Sequence, residues 1–167
     1  MTDTTRYTTI ESPLGELLLV GDDVGLTDLY RQTTRRARSL DPAWARHDIH
    51  FAAARSQLEA YFAGELRDFD LRLNPRGSSL QLRVWAALRD IPYGETASYG
   101  AIANRIGWAN GARAVGAING QNPLPIIIPC HRVIGADGSL VGYGGGLPMK
   151  QFLLSLEASH SGLFATG

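Results

Sequence analysis

The stretch Pro123-Leu124-Pro125-Ile126-Ile127-Ile128-Pro129 restricts the possible folds of this chain more than any other. Each proline removes a backbone donor and fixes φ near about −65°, which breaks helices and bars a central strand. The residues between the prolines are all apolar, so the segment should cross a hydrophobic interior as rigid, irregular, poorly hydrogen-bonded backbone. It ends by delivering Cys130-His131-Arg132-Val133. Cationic neighbours lower the pKa of a thiol. An imidazole can take its proton directly or through a water.

Cys130 is the only cysteine, so the chain can form no internal disulfide and no multi-cysteine zinc site. A free cysteine is often just a small buried residue, and its surroundings decide between an inert and a reactive thiol. A third group lies downstream. Residues 150–158 read as a helix with Phe152, Leu153, Leu154 and Leu156 over a wide apolar arc, and Glu157 falls inside that arc. A buried carboxylate is costly unless paired. Pairing with His131 would give a relay Glu157–His131–Cys130; otherwise Glu157, near a helix end, reaches solvent.

The two halves of the chain differ in charge. Residues 1–72 carry nine arginines against twelve acids, and residues 73–167 carry six arginines and Lys150 against four acids. No Asp or Glu lies between Glu95 and Asp137, while Arg105, Arg113 and Arg132 do. An acid-free stretch suits a phosphate surface, and equally a chance gap in a Gly/Ala-rich segment. Apolar residues make up 44% of the chain, no run approaches a membrane span, and no signal peptide opens it. A cytoplasmic protein without membrane contact is expected.

Residues 6–11, 16–21 and 26–31 read as short strands, and 69–73 alternates like another. Residues 50–63 carry Phe51, Ala54, Leu58, Tyr61 and Phe62 at helical spacing. Asn74-Pro75-Arg76-Gly77 reads as a linker. It separates a small α/β support domain, residues 1–73, from a mostly helical domain, residues 78–167. Together they make an α+β protein. In the second domain Ser78 and Gln81 form a capping-box signature. Ser98 can cap a second helix that stops at Gly107, and a third runs from about Ala112 to Gly120. Two short helices around a glycine turn fit a helix-turn-helix, as they do any helical corner.

In that third helix Val115 and Ile118 share the core side. Ala112, Arg113, Gly116, Ala117 and Gly120 form the outward stripe, which is bare apart from one arginine. A major-groove reader carries several long polar side chains. A bare stripe with a single arginine suits close approach to a minor groove with one inserted side chain, or tight packing on another helix. Val141-Gly142-Tyr143-Gly144-Gly145-Gly146 can approach a planar ligand closely, with Tyr143 as a stacking wall, and lacks the spacing of a phosphate loop.

Several of these segments together resemble O6-alkylguanine-DNA alkyltransferases of the bacterial type. They are Ile91-Pro92-Tyr93-Gly94, Ser98-Tyr99, Ala112-Arg113-Ala114-Val115-Gly116, Asn122-Pro123, Pro129-Cys130-His131-Arg132-Val133 and Tyr143-Gly144-Gly145-Gly146. The likeness spans residues 78–158 with its spacing intact; the N-terminal domain is similar in layout only.

The resemblance implies an RNase H-like N-terminal domain and irreversible transfer of an alkyl group from O6-alkylguanine to Cys130, with O4-alkylthymine as a second candidate substrate. His131 would act through a water, Glu157 would orient it, and Asn122 would tie the recognition helix to the active-site segment. Tyr99 would hydrogen-bond the flipped base, Val133 would offer it a carbonyl, and Tyr143, Gly144 and Gly145 would wall the alkyl pocket. Gly144 stands where some members carry a serine. Ala112, Arg113, Ala114, Gly116, Ala117, Gly120 and Arg132 would contact duplex DNA in the minor groove, with Arg113 filling the vacated stack. No metal and no cofactor are implied. The protein would act as a monomer, with room for cooperative binding along DNA. A thiol hydrolase, an alkyl-base-binding relative without the cysteine, and a helix-turn-helix regulator are the competing readings. They are disfavoured, respectively, by the absence of an oxyanion site, by Cys130 itself, and by the sparse third helix.

Overall fold

The computed structural model describes residues 4–32, 37–140 and 146–161. The chain divides into two compact units, Met1–Arg76 and Gly77–Gly167.

The first unit is built on β2 (Leu17–Gly21), an uninterrupted apolar strand buried along its whole length. It pairs antiparallel with β1 (Arg6–Ile10) on one side and β3 (Leu26–Arg31) on the other. A two-residue strand, β4 (Ala45–Arg46), adds parallel to β1. A 3₁₀ turn over Asp48–Phe51 leads into α1 (Ala52–Phe62), which buries Ala54, Leu58 and Tyr61, an i, i+4, i+7 stripe. The strand expected over 69–73 does not form. Leu73 makes one isolated bridge to Leu26, and Phe69 packs its ring on Tyr61, 5.3 Å between centroids. Asn74 and Arg76, expected in a free linker, are anchored, because both donate to the buried carboxylate of Asp22.

The second unit opens with α2 (Ser79–Leu88), capped as expected. The Ser78 hydroxyl accepts from Gln81 N, and the Gln81 side chain accepts from Ser78 N. Val84, Trp85, Ala87 and Leu88 are its buried face. A two-strand parallel ladder joins β5 (Ala97–Ser98) to β6 (Val133–Ile134). It holds the start of α3 (Tyr99–Arg105) beside the segment that follows Cys130. Ser98 caps α3 by accepting from Ala101 N at 3.0 Å. The chain then turns through Gly107 into α4 (Ala112–Gly120), which packs on α3, and the pair is the expected helix-turn-helix. The last element is α5 (Leu147–His160).

Gly107 sets the turn. Its φ is +75°, its N–H donates to Asn104 O at 3.0 Å, and Trp108 N–H donates to Ala103 O at 2.9 Å. These two bonds close α3 in a Schellman motif that needs a left-handed residue at this point. No atom lies within 4 Å of where a Cβ would stand, so a substitution here tests backbone conformation alone. Gly107→Ala should cost about 1 kcal/mol, and Gly107→Asn distinctly less, in denaturant midpoints measured at equal slope.

Candidate active site

The segment before Cys130 is curled rather than extended. Ile128 N donates to Leu124 O at 2.8 Å, Cys130 N to Ile128 O at 2.7 Å, and Arg132 N to Pro129 O at 3.0 Å. The expectation of poor hydrogen bonding is therefore corrected: the prolines stop regular structure, but the free N–H groups close successive turns. Asn122 clamps the start of the segment, donating through Nδ2 to Ile128 O at 2.8 Å and accepting from Leu124 N at 2.9 Å. Leu124, Ile126, Ile127 and Ile128 are all buried. Ile126 is held at φ +76°, a strained conformation for a β-branched residue. The route ends in one 3₁₀ turn over Cys130–Arg132, with Cys130 only 4% exposed.

That turn meets α5 through Glu157, which is 1% exposed. Its Oε2 lies 2.6 Å from His131 Nε2 and accepts from an Arg132 terminal nitrogen at 3.0 Å. Its Oε1 accepts from Arg132 Nε at 2.8 Å and from Gly94 N at 3.4 Å. Burial by itself raises the pKa of this carboxyl, but the hydrogen bonds and charges of His131 and Arg132 outweigh it and bring it down to about 2. Burial pushes His131 the other way, below its ordinary 6.5, and the charges of Arg132 and Lys150 add to that against the pull of Glu157. We take the imidazole as neutral, because a wholly buried ring beside two cations resists a proton. Its Nε2–H then donates to Glu157, and Nδ1 is left as an acceptor. This nitrogen is buried without a hydrogen-bond partner in the protein.

Arg132, expected among the DNA contacts, is turned inward instead. It is 5% exposed, and it spans Glu157 and the carbonyl of Ile91, reached by the other terminal nitrogen at 2.7 Å. Its guanidinium also lies 5.6 Å from the centroid of the Tyr93 ring. The expectation fails because a single 3₁₀ turn between packed elements buries all three residues Cys130, His131 and Arg132.

The residue missed in the sequence is Lys150. It is fully buried on α5 and donates through Nζ to Val133 O. Burial lowers its pKa, and Cys130, when ionised, draws it back up, so lysine and thiol lie within electrostatic reach. A signal was present, since at about 100° per residue Lys150 and Glu157 fall on one stripe of α5. Phe152, expected in the apolar arc, is exposed at 36%, and the buried stripe is Met149, Lys150, Leu153 and Glu157. Val133 O, accepting from Lys150, keeps a second lone pair. The Tyr99 hydroxyl is raised above 10.0 by burial, and further by Cys130 when that thiol is ionised, and so remains a donor near the thiol.

On α4, Val115 and Ile118 are buried as expected, and so is Asn119. Arg113 and Ala117 are exposed, while Ala112, Ala114, Gly116 and Gly120 are partly exposed. A Cβ on Gly116 would touch the Tyr99 ring at 3.7 Å. Tyr143, Gly144 and Gly145 lie outside the described residues. Among the described residues no helix is long and apolar enough to cross a membrane, and no group of three His, Cys, Asp or Glu could hold a metal ion.

Two family models match the chain. The ribonuclease-like domain of 6-O-methylguanine DNA methyltransferase matches residues 5–75, and the DNA binding domain of the same protein matches residues 79–159. A methylated-DNA–protein-cysteine methyltransferase from Mycolicibacterium paratuberculosis is 55% identical over 93% of this chain and 94% of its own. One of the same description from Methanosarcina acetivorans is 50% identical over 92% of this chain and 98% of its own. The crystal structure of Mycobacterium tuberculosis OGT in complex with DNA superposes with a TM-score of 0.86 at 52% identity, covering 93% of this chain and 94% of that one.

The buried cluster has a pH signature. Both pKa values are depressed in the folded protein, so both groups contribute stability that is present above their unfolded values and lost as pH falls. Stability should decline below about pH 6.5 as His131 is forced to charge, and again from 4.5 towards 2 as Glu157 is protonated. Glu157→Gln should lower neutral-pH stability by about 3 kcal/mol and abolish the second decline, as read by thermal melts over the acid range. An unchanged acid limb in the variant would assign that decline to other carboxylates.

Proposed function

The chain belongs to the 6-O-methylguanine DNA methyltransferase family, and from that premise we propose that Cys130 takes the alkyl group from O6-alkylguanine in duplex DNA and keeps it. The observation that carries this is the buried pair of Glu157 and neutral His131, which follows Cys130 in the same 3₁₀ turn and whose outer nitrogen has no hydrogen-bond partner in the protein. Such a base accepts the proton of Cys130, through a water, and Glu157 stabilises the imidazolium formed. The thiolate attacks the alkyl carbon. A C–S bond forms, the C–O bond breaks with its electron pair going to guanine, and the base takes up a proton as it leaves. A thioether has no hydrolytic way back to thiol, so each chain serves once.

A target base must leave the helix to meet a thiol this deeply set, at a cost of a few kcal/mol. We assign the stacking gap to Arg113, the exposed arginine on an otherwise bare helix face, with Ala112, Ala114, Gly116, Ala117 and Gly120 giving the minor-groove backbone its close approach. Tyr99 donates to the flipped base, and Val133 O accepts from its edge with the lone pair that Lys150 leaves. Tyr143, Gly144 and Gly145 wall the alkyl group. Asn122 couples α4 to the active-site segment through its clamp on Ile128. In this reading residues 78–167 carry both binding and chemistry, residues 1–73 support them, and a monomer works in the cytoplasm. O4-alkylthymine is a second substrate to try.

Incubation with a methylated duplex and intact-mass measurement should find at most one alkyl group per chain, on Cys130. Cys130→Ala should take up none and still bind DNA. More than one base repaired per chain would sink the acceptor role. For Arg113, the expected outcome separates duplex from free base. Arg113→Ala should slow repair of a duplex by roughly ten- to a thousandfold while reaction with a free alkylated guanine changes little. Arg113→Lys keeps the charge without the planar group and should rescue poorly. Equal losses on duplex and free base would make Arg113 a support of the pocket.

A further inference from the structure

Asn119 is a polar residue on the buried side of α4, 1% exposed, and neither the relay nor the DNA face uses it. Its Nδ2 donates to the carbonyl of Cys130 at 3.3 Å, which fixes the orientation of the amide. The other end, Oδ1, is then an acceptor, and it is buried without a hydrogen-bond partner in the protein. His131 Nδ1 is in the same condition one residue beyond Cys130. Both atoms accept, so neither can satisfy the other. An unpaired buried acceptor is costly, and here two are joined to the same residue, one by a side-chain hydrogen bond and one by the chain itself. The Cys130 S–H has one hydrogen and cannot serve both. A water molecule has two hydrogens to give and lone pairs left to receive the thiol proton.

We propose that Asn119 is a positioning residue for proton transfer from Cys130, its Oδ1 holding one hydrogen of a relay water whose other hydrogen points at His131 Nδ1. The water oxygen then faces the thiol. On transfer, the S–H proton passes to the water oxygen, and the water passes its own hydrogen to Nδ1. Thiolate and imidazolium result, and the water is unchanged. The hydrogen held by Asn119 stays where it is, so the water cannot rotate its wrong face to the sulfur. This rests on the reading of Cys130 as nucleophile and His131 as its base, and adds a residue on the recognition helix to the machinery. The same side chain grips the Cys130 carbonyl, so a displacement of α4 would move the water and the thiol together.

The test follows Cys130 modification by intact mass, with two reagents: a duplex oligonucleotide carrying O6-methylguanine, and iodoacetamide. Rates are taken across the neutral pH range for the parent, Asn119→Leu and Asn119→Ala. Loss of the amide acceptor should slow both reactions about tenfold at neutral pH. It should also move the midpoint of the pH profile upward, so that the deficit shrinks as pH rises and the thiol ionises without help. DNA affinity should stay near that of the parent. A merely structural role predicts a loss of equal factor at every pH, and that result, or an unmoved midpoint in either folded variant, overturns the proposal. Should the leucine variant fail to fold, the alanine variant leaves room for water and decides alone. A parent that reacts with iodoacetamide but takes nothing from the methylated duplex would defeat the alkyl-transfer reading, while the iodoacetamide profiles would still judge Asn119.

Discussion

An ionised carboxylate inside a helix-packed core is the constraint on which the second unit depends. Glu157 can stay charged there only because four polar contacts meet it: His131, two nitrogens of Arg132 and the Gly94 N–H. These contacts come from different parts of the chain. Arg132 in turn reaches back to Ile91 O, so α5, the turn after Cys130 and the loop after α2 are all tied to one carboxylate. Removing any partner leaves charge uncompensated in a medium of low dielectric. The same arrangement that holds the elements together also fixes the imidazole tautomer, so structure and chemistry share one set of bonds.

The backbone before Cys130 serves this arrangement. Prolines at 123, 125 and 129 stop any regular element, and the left-handed Ile126 bends the chain at a residue type that avoids that conformation. Strain of this kind persists only where surroundings over-determine it. Here the Asn122 clamp, the Leu124–Ile128 bond and the burial of four aliphatic side chains do so. The outcome is a thiol whose position is set by the α4 end on one side and the β5–β6 ladder on the other.

Much of this was legible in the sequence, because it rests on local rules. Ser78 with Gln81, Ser98, and Gly107 marked helix ends by their capping chemistry. Glu157 was recognisable because its angle put a carboxylate among leucines. What stayed hidden was hidden for physical reasons. Lys150 lies on the stripe of Glu157, yet a lysine ordinarily extends its ammonium to water, and only the Val133 carbonyl makes the buried end tolerable. Asn119 sits about 40° from Val115 on α4, on the core side, but a lone asparagine gives no pattern until its partner, the Cys130 carbonyl, is brought to it. Arg132 was misjudged because a single 3₁₀ turn has no periodicity from which to read a buried face. The 69–73 strand failed because two backbone bonds flanking Leu26 are too few to extend a ladder.

In the proposed transfer, the charges around the thiol let the proton move without changing the net charge of the core. With His131 neutral, the buried groups are one anion, Glu157, and two cations, Arg132 and Lys150, an excess of one positive charge. Moving the Cys130 proton to His131 makes a thiolate and an imidazolium at once, so that excess does not change. Charge is redistributed within the core without any ion entering from water, and the desolvation penalty of isolated charges is avoided. The new imidazolium faces Glu157, and the new thiolate faces the field of Lys150. Alkylation then turns the sulfur into a neutral thioether, and with the proton passed on to the departing base the cluster regains its starting charge. The folded core therefore has the same electrostatic balance before and after its single reaction, and only the short-lived ion pair between them has to be stabilised.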